Sequence, residues 1–202
     1  MKKTMVISLV FSLLATSLRA GDFRFAYGLE WGLAPTVYTY ENNAFFTEEQ
    51  FPVRTTSHQI TYNTNGYIWA AAGVEWRRKL NLSVYAGYQG TGPGYRAYPL
   101  VLRGTWFFTN SASNGVFASG GGGFLFDEKF SLKTGYTANI LSGYRIMIGK
   151  KLSMDLKLGI QISMTYPSAF TDRYMQTVVT ADRVIYAKAL RGAVIAGISL
   201  NL

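Results

Sequence analysis

The sequence has no cysteine, one histidine and five prolines among its 202 residues. Without cysteine the chain can form neither a disulfide scaffold nor a thiolate nucleophile, and it cannot be a cysteine-anchored lipoprotein. Any histidine-dependent catalysis would have to use His58. After the first twenty residues no apolar run approaches the roughly 18 residues that a membrane-spanning helix needs, so a helical membrane protein is excluded.

The N-terminus has the three regions of a secretory signal peptide. Two lysines at positions 2 and 3 precede an apolar stretch over residues 5–14, and small residues follow up to Ala20. Cleavage after Ser17 and cleavage after Ala20 are both compatible with this pattern. Because the remaining chain of about 180 residues has the length of one domain and no proline-rich or serine-rich linker, we predict a signal peptide over residues 1–20 and one domain over residues 21–202.

Large apolar side chains occupy every second position in eight segments of the chain. In residues 152–164 one face carries only leucine, isoleucine and methionine, while the other carries Ser153, Asp155, Lys157, Gly159, Gln161 and Ser163. A period of two is the period of a β-strand, because successive side chains point to opposite faces of a sheet. The other segments are residues 23–36, 66–76, 80–89, 98–108, 116–126, 136–148 and a last one ending at residue 202. The sequence therefore predicts an all-β chain.

The connections between these segments alternate in length. Those after the second, fourth and sixth segments are short, whereas residues 37–59 and 166–187 are the longest predicted loops. Outer-membrane barrels have an even number of strands, short periplasmic turns and long outer loops. Each segment can supply the roughly 9 to 11 residues that a tilted strand needs to cross a bilayer. We predict an eight-stranded antiparallel up-and-down transmembrane β-barrel with both termini in the periplasm.

The face opposite the aliphatic side chains is rich in glycine, alanine, serine and asparagine, with isolated charges. A soluble secreted barrel, such as a lipocalin-like fold, would crowd that face with charged and polar side chains, whereas a narrow eight-stranded barrel fills its interior with its own residues. The pattern favours the membrane barrel. Because buried charges need partners, we predict a lumenal ion-pair network of Arg24, Glu30, Glu75, Arg103, Arg145, Asp155, Lys157 and Arg191.

Aromatic residues and net charge give two further indications. Membrane barrels carry aromatic girdles at both interfaces, and the predicted girdle residues are Trp76, Trp106, Phe108, Tyr88, Phe126, Tyr136 and Tyr166. The formal charge of +9 falls to +6 when Lys2, Lys3 and Arg19 leave with the signal peptide. For an exported chain this surplus favours anionic lipid headgroups or phosphates over nucleic acid.

Three stretches carry a family resemblance: Tyr98-Pro99-Leu100-Val101-Leu102-Arg103-Gly104, the run from Gly120 to Phe124, and Ser142-Gly143-Tyr144-Arg145. With the strand pattern they resemble the small outer-membrane β-barrel proteins, the group that includes the OmpA transmembrane domain and OmpX, in the version found in Bacteroidetes. The resemblance implies a barrel in the bacterial outer membrane. Leu202 departs from it, since proteobacterial members usually end in an aromatic residue.

The resemblance also leaves an enzymatic alternative open. Eight-stranded lipid A deacylases and palmitoyltransferases resemble this architecture and use a histidine with a serine near the outer leaflet. Ser57 and His58 lie where the first long connection meets the second predicted strand. A third alternative is an accessory barrel of a secretion or surface-assembly system.

We predict no cofactor and no metal site. The run from Gly120 to Gly123 lacks the lysine and hydroxyl residue of a phosphate loop, and the acidic pairs Glu48-Glu49 and Asp127-Glu128 have no histidine or cysteine nearby. A pore is not expected, because side chains fill a barrel of eight strands. The first expectation is a non-enzymatic barrel that serves envelope integrity or surface interaction. Its expected partners are outer-membrane lipid, lipopolysaccharide and an envelope protein bound through the outer loops.

Overall fold

The computed structural model describes residues 23–92, 95–126, 135–167, 170–172 and 177–202, so the predicted signal peptide lies outside the described residues. Within them no helix has the length and apolar character to cross a bilayer. The strands are β1 (Phe23–Leu33), β2 (Thr36–Phe46), β3 (Pro52–Asn63), β4 (Gly66–Trp76), β5 (Leu80–Gly92), β6 (Tyr95–Phe107), β7 (Gly115–Phe126), β8 (Gly135–Met147), β9 (Ser153–Thr165), β10 (Phe170–Asp172), β11 (Thr177–Val179) and β12 (Val184–Asn201).

Eight of these strands close into a barrel in the order β1, β4, β5, β6, β7, β8, β9, β12. Each neighbouring pair is antiparallel, and the ring closes where β12 pairs with β1, from Gly28 opposite Asn201 to Leu33 opposite Ala196. A closed barrel has no free strand edge, so its backbone donors and acceptors are paired within the wall. The predicted eight-stranded antiparallel up-and-down barrel is confirmed.

The two ends of the barrel differ in their connections. Residues 77–79, 108–114 and 148–152 form short links at one end, which we call the short-turn end. At the opposite end, which we call the long-loop end, β1 and β4 are linked through β2 and β3, and long connections follow β7 and β9, whereas β5 ends at Gly92 and β6 begins at Tyr95. The predicted second segment coincides with β4, and the other predicted segments agree with their strands to within a few residues, apart from the last, which begins at Val184.

The barrel wall continues beyond the ring at the long-loop end. After β1 the chain enters β2, and β3 leads directly into β4, so that β2 and β3 extend the hairpin of β1 and β4. Pro35 lies at the break between β1 and β2, where its missing N–H interrupts the ladder. The junction is held by hydrogen bonds from Ala34 N to Asn65 O (2.7 Å) and from Val194 N to Pro35 O (3.1 Å).

The last strand supports this extension. The 18 residues of β12 pair with β1 through their C-terminal part and with β2 through Val184 to Ala193. We call β2, β3 and residues 184–193 the wall extension.

The prediction that residues 37–59 and 166–187 are loops is therefore wrong in large part. The first region is mostly β2 and β3, and the second contains β10, β11 and the start of β12. The alternation of aliphatic and small residues identifies the strands of the ring, which have an aliphatic outer face. The wall extension continues beyond these strands and is held by cross-strand pairing, and its polar and aromatic residues, such as those from Tyr38 to Asn43, do not show the same pattern.

Candidate functional site in the barrel lumen

The two faces of the barrel wall have opposite chemistry. On β9, Leu158 and Ile160 expose 60% and 57% of their surface on the outside, whereas Asp155 and Lys157 expose 3% and 7% on the inside. Strand alternation produces this arrangement directly, because neighbours along a strand point to opposite sides. The apolar residues are therefore exposed and the charged residues buried, which is the reverse of a soluble protein.

Three charged side chains meet in the middle of the lumen. Glu30 Oε2 accepts hydrogen bonds from Arg103 Nη1 at 2.7 Å and from Lys157 Nζ at 2.6 Å. We call Glu30, Arg103 and Lys157 the central cluster. The three residues come from β1, β6 and β9, so the cluster ties distant parts of the ring together. Removing one partner from a buried pair of this kind costs about 3–5 kcal/mol, because a charge is then left uncompensated.

Aromatic rings complete the surroundings of the central cluster. The Arg103 guanidinium carbon lies 4.2 Å from the ring centroid of Tyr85 and 5.1 Å from that of Trp69. Cation–π contacts of this kind are strengthened when water is excluded. They join the cluster to the packed apolar residues of the lumen.

A second ion pair lies nearer the short-turn end. Arg145 binds Asp155 in a bidentate manner, with distances of 2.6 Å from Nε and 2.8 Å from Nη2. Asn201 Nδ2 also donates to Asp155 at 3.0 Å. The remaining Arg145 nitrogen, Nη1, donates to the Ser111 carbonyl at 3.1 Å, which anchors the 108–114 connection to the barrel wall.

The other three predicted network residues lie closer to the barrel ends. Arg191 is 3.9 Å from Glu41, a residue of β2. Arg24 and Glu75 face each other across β1 and β4 at the short-turn end, where both line a cavity. No salt bridge within the described part of the chain includes Arg24 or Glu75. The eight predicted residues thus divide into the central cluster, the Arg145–Asp155 pair, Arg191 with Glu41, and Arg24 with Glu75 at the cavity.

A group of large side chains closes the lumen. Tyr67, Trp69, Tyr85, Val101, Leu141 and Ile195 are all buried and in contact, and we call them the lumen plug. Most lie on the inward phase that the sequence predicts, but nothing in their spacing showed that they would meet. The sequence does contain a partial indication of the lumen plug, because Trp69 and Tyr85 are unusually large for a face made mostly of small residues.

Inward-facing glycines make room for the large lumenal side chains. Gly87 lies opposite Trp69, Gly121 opposite Arg103, Gly123 opposite Val101, Gly143 opposite Phe117 and Gly159 opposite Leu141. A Cβ atom on Gly143 would overlap the Phe117 ring, and one on Gly159 would overlap the Leu141 side chain. The alternation of glycine and large residues across neighbouring strands therefore lets the narrow lumen be filled.

Below the lumen plug, a cavity of about 310 Å³ lies inside the short-turn end. Tyr85 of the lumen plug and Lys157 of the central cluster line this cavity, so these two groups of residues close its inner side. Its other polar lining includes Arg24, Glu75, Arg145 and Asp155. In the part of the chain that the structure describes, no group of histidine, cysteine or acidic residues is arranged to hold a metal ion.

The predicted girdle residues lie near the two ends of the outer surface. Trp106 and Phe108 are exposed beside the short-turn end, and Trp76 immediately precedes the 77–79 turn. Toward the other end, Tyr88 packs against Tyr98 with ring centroids 6.0 Å apart. Phe126 is the register partner of Tyr98, Tyr136 packs against Phe124 at 5.7 Å, and Tyr166 follows β9.

The structure places Ser57 and His58 on opposite faces of β3. His58 shares the outward phase with Ile60, and its Nδ1 lies 3.1 Å from the Tyr38 hydroxyl. Ser57 points to the other side, where its hydroxyl accepts a hydrogen bond from Gln59 at 3.4 Å. The structure therefore brings His58 together with tyrosines of β2, and it does not bring it together with Ser57.

Comparison with known proteins adds little to this geometry. A scan against protein-family models found no match, and a search of curated protein sequences found none either. Among solved structures, the outer membrane protein OprG from Pseudomonas aeruginosa is similar with a TM-score of 0.49 and 9% identity, over 88% of this chain and 95% of that chain. The InvG secretin domain β-barrel from the Salmonella SPI-1 injectisome has a TM-score of 0.16 and 7% identity, over 96% of this chain and 66% of that one. At these scores neither likeness bears on function, and the fold rests on the strand pairing itself.

Proposed function

We propose that this protein is a non-enzymatic integral barrel of the bacterial outer membrane, with both termini in the periplasm, that serves envelope integrity or surface interaction. The observation that carries the proposal is the reversed distribution of side chains. Leu102, Ile140 and Ile162 belong to an exposed aliphatic belt, while Glu30 and Arg103 are fully buried inside. Contact of such a belt with water is unfavourable, whereas contact with hydrocarbon is favourable. Hydrocarbon offers no hydrogen-bond partners, and barrel closure pairs the backbone groups of the strand edges that would otherwise lack them.

The closed lumen supports a scaffold more than a channel. The lumen plug and the central cluster fill the cross-section with buried side chains, and the cavity at the short-turn end stops at Tyr85 and Lys157. A solute entering from that end would meet the packed aromatic rings. The stabilised barrel would instead hold the wall extension above the membrane.

The wall extension is the part best suited to surface interaction. It exposes Ile60 and Tyr62, at 92% and 75%, together with Phe51 at the tip of the hairpin. Its three strands are joined by cross-strand hydrogen bonds, so these side chains are presented on an ordered support. Lipopolysaccharide and an envelope protein are the proposed partners of this surface.

Cell fractionation tests the membrane assignment. We expect the protein in the outer-membrane fraction, resistant to carbonate extraction, with a gel mobility that changes on boiling as the barrel unfolds. Recovery in the soluble fraction would refute the assignment.

A planar-bilayer recording checks the closed lumen, and a steady conductance from the wild-type protein would argue against the scaffold role.

A truncated barrel tests the role of the wall extension. Leu33 and Gly66 are register partners, so replacing residues 34–65 with Asn-Gly would join β1 and β4 by a tight hairpin turn. We expect this variant to reach the outer membrane but to lose lipopolysaccharide or protein partners that co-purify with the wild type in mild detergent. Equal recovery of partners with both proteins would remove the wall extension from the proposed function.

A further inference from the structure

The 77–79 turn at the short-turn end has an unusual sequence for its backbone. Arg77 and Arg78 have φ angles of 51° and 56°, and Lys79 N donates to Trp76 O at 3.0 Å, so the two arginines are the central residues of a tight hairpin turn. Such turns favour Asn-Gly, because left-handed backbone brings the Cβ atom of most other residues too close to the following carbonyl oxygen. The turn geometry therefore does not explain why arginine stands at both positions, whereas a role for the side chains would.

Neighbouring connections fix this turn in place. The carbonyl groups of Arg78 and Lys79 accept hydrogen bonds from Ser111 N at 2.7 Å and Phe107 N at 2.8 Å. Arg145 in turn binds the Ser111 carbonyl. Beyond Arg145, β8 leads into the 148–152 connection, which carries Lys150 and Lys151. The 77–79 and 148–152 turns thus flank the 108–114 connection, and their basic side chains project from backbone that is already ordered.

Charge is distributed unevenly between the two ends of the barrel. Five exposed basic residues belong to these turns: Arg77, Arg78, Lys79, Lys150 and Lys151. We call them the basic rim. In the described part of the same end, the acids are Asp155, which is buried and bound to Arg145, and Glu75, which is half-buried opposite Arg24. The described long-loop end instead carries charges of both signs, among them the acids Glu48, Glu49 and Asp182 and the bases Arg54, Arg183 and Lys188. The basic rim therefore produces a positive potential at the short-turn end.

The basic rim lies directly beside the aliphatic belt. Arg77 follows Trp76, and its guanidinium carbon is 5.0 Å from the ring centroid of that residue. Phe108 and Ile148, in the other two short connections, expose 61% and 56% of their surface. Residues at this boundary meet the lipid headgroups, where tryptophan and basic side chains are both favourable.

We propose that the basic rim binds the headgroups of anionic phospholipids in the leaflet that surrounds the short-turn end. The inference rests on the proposed membrane-spanning function. The arginine and lysine side chains would contact the phosphodiester oxygens, and the guanidinium groups could do so with two hydrogen bonds each. The rim would also fix the depth of the barrel, because it holds the aromatic girdle of that end at the interface.

The test uses purified protein reconstituted in vesicles of phosphatidylcholine and phosphatidylglycerol in equal amounts. Native mass spectrometry after mild detergent extraction counts the lipids of each kind that remain bound. The rim variant is R78Q/K150Q/K151Q, and the matched control R54Q/R183Q/K188Q removes the same charge from the wall extension and the connection before β12. We expect wild type and control to retain phosphatidylglycerol preferentially, and the rim variant to lose that preference by about fivefold or more.

Two further measurements separate the possible failures. Flotation of the vesicles after a carbonate wash reports insertion, and a wild-type protein that does not float would refute the proposed function itself. If all three proteins insert and retain phosphatidylglycerol equally, only the basic rim proposal fails. It also fails if inorganic phosphate displaces the bound lipid more strongly than sodium chloride of the same ionic strength, since the site would then prefer a small free anion.

Discussion

Glu30 and Arg103 lie 73 residues apart in the sequence and form a salt bridge of 2.7 Å across the lumen, with side chains that are 0% and 1% exposed. Lys157 binds the same carboxylate oxygen. Replacing Glu30 with glutamine would leave two buried cations without an anion. We expect the E30Q variant to lose about 3 kcal/mol or more of unfolding free energy, measured by urea titration of the folded barrel in detergent.

The control for this experiment is E75Q. Glu75 also faces inward, but it is half-buried at the cavity and belongs to no salt bridge among the described residues, so we expect the loss of its charge to cost at most about 1 kcal/mol. If the E30Q and E75Q variants were destabilised equally, the central cluster would have no special importance.

A compensated variant separates charge from packing in the central cluster. Replacing Glu30 with leucine and both Arg103 and Lys157 with methionine removes all three charges while keeping similar volumes. Buried ion clusters can often be exchanged for apolar residues with little loss of stability. We expect the triple variant to be more stable than E30Q in the same urea titration. A triple variant less stable than E30Q would show that the charges themselves are needed for the barrel to form.

The glycines of β7 allow a matched test of lumen packing. Gly121 faces inward, and a Cβ there would lie 2.7 Å from Leu102 O, whereas a Cβ on the outward-facing Gly120 would meet nothing closer than 3.8 Å. We expect G121A to destabilise the barrel by about 1–3 kcal/mol and G120A to be neutral or slightly stabilising. Thermal unfolding followed by gel mobility would measure both. A larger loss for G120A than for G121A would contradict the assignment of the two faces.

The sequence predicts the ring of the barrel well because an aliphatic outer face and a lumen filled with small and charged residues produce a simple alternation. Alternation alone places Leu158 outside and Asp155 inside, and it assigns the same faces as the structure. It could not reveal which inward residues meet, because the contact between Glu30 and Lys157 depends on the closure of the ring and on the registers of β12 with β1 and with β9. The relationship between Gly143 and Phe117 has the same origin. The sequence does not predict the wall extension, because β2 and β3 lack the alternation of aliphatic and small residues.

Because the chain has no cysteine, single cysteines can report its orientation. Ile60 lies on the wall extension and Lys150 in the 148–152 connection at the opposite end. We expect a membrane-impermeant maleimide to label I60C on intact cells, and to label K150C only after the outer membrane is permeabilised. The reverse pattern would place the short-turn end outside the cell. L158C, on the aliphatic belt, serves as a control that should resist the same reagent in both preparations.

His58 provides the decisive test of the lipid A-modifying alternative. An acyl hydrolase or acyltransferase that depends on histidine needs a hydroxyl or water in contact with the ring as the nucleophile. Among the described residues, the hydroxyl that lies beside the His58 ring is that of Tyr38, a poor counterpart of a catalytic serine, and Ser57 points away. We therefore expect lipid A from cells that express wild-type protein, the H58A variant or no protein to have the same acyl chains in mass spectra. Loss of one acyl chain with the wild type but not with H58A would establish an enzyme, and the S57A variant would then show whether Ser57 takes part after a rearrangement of β3.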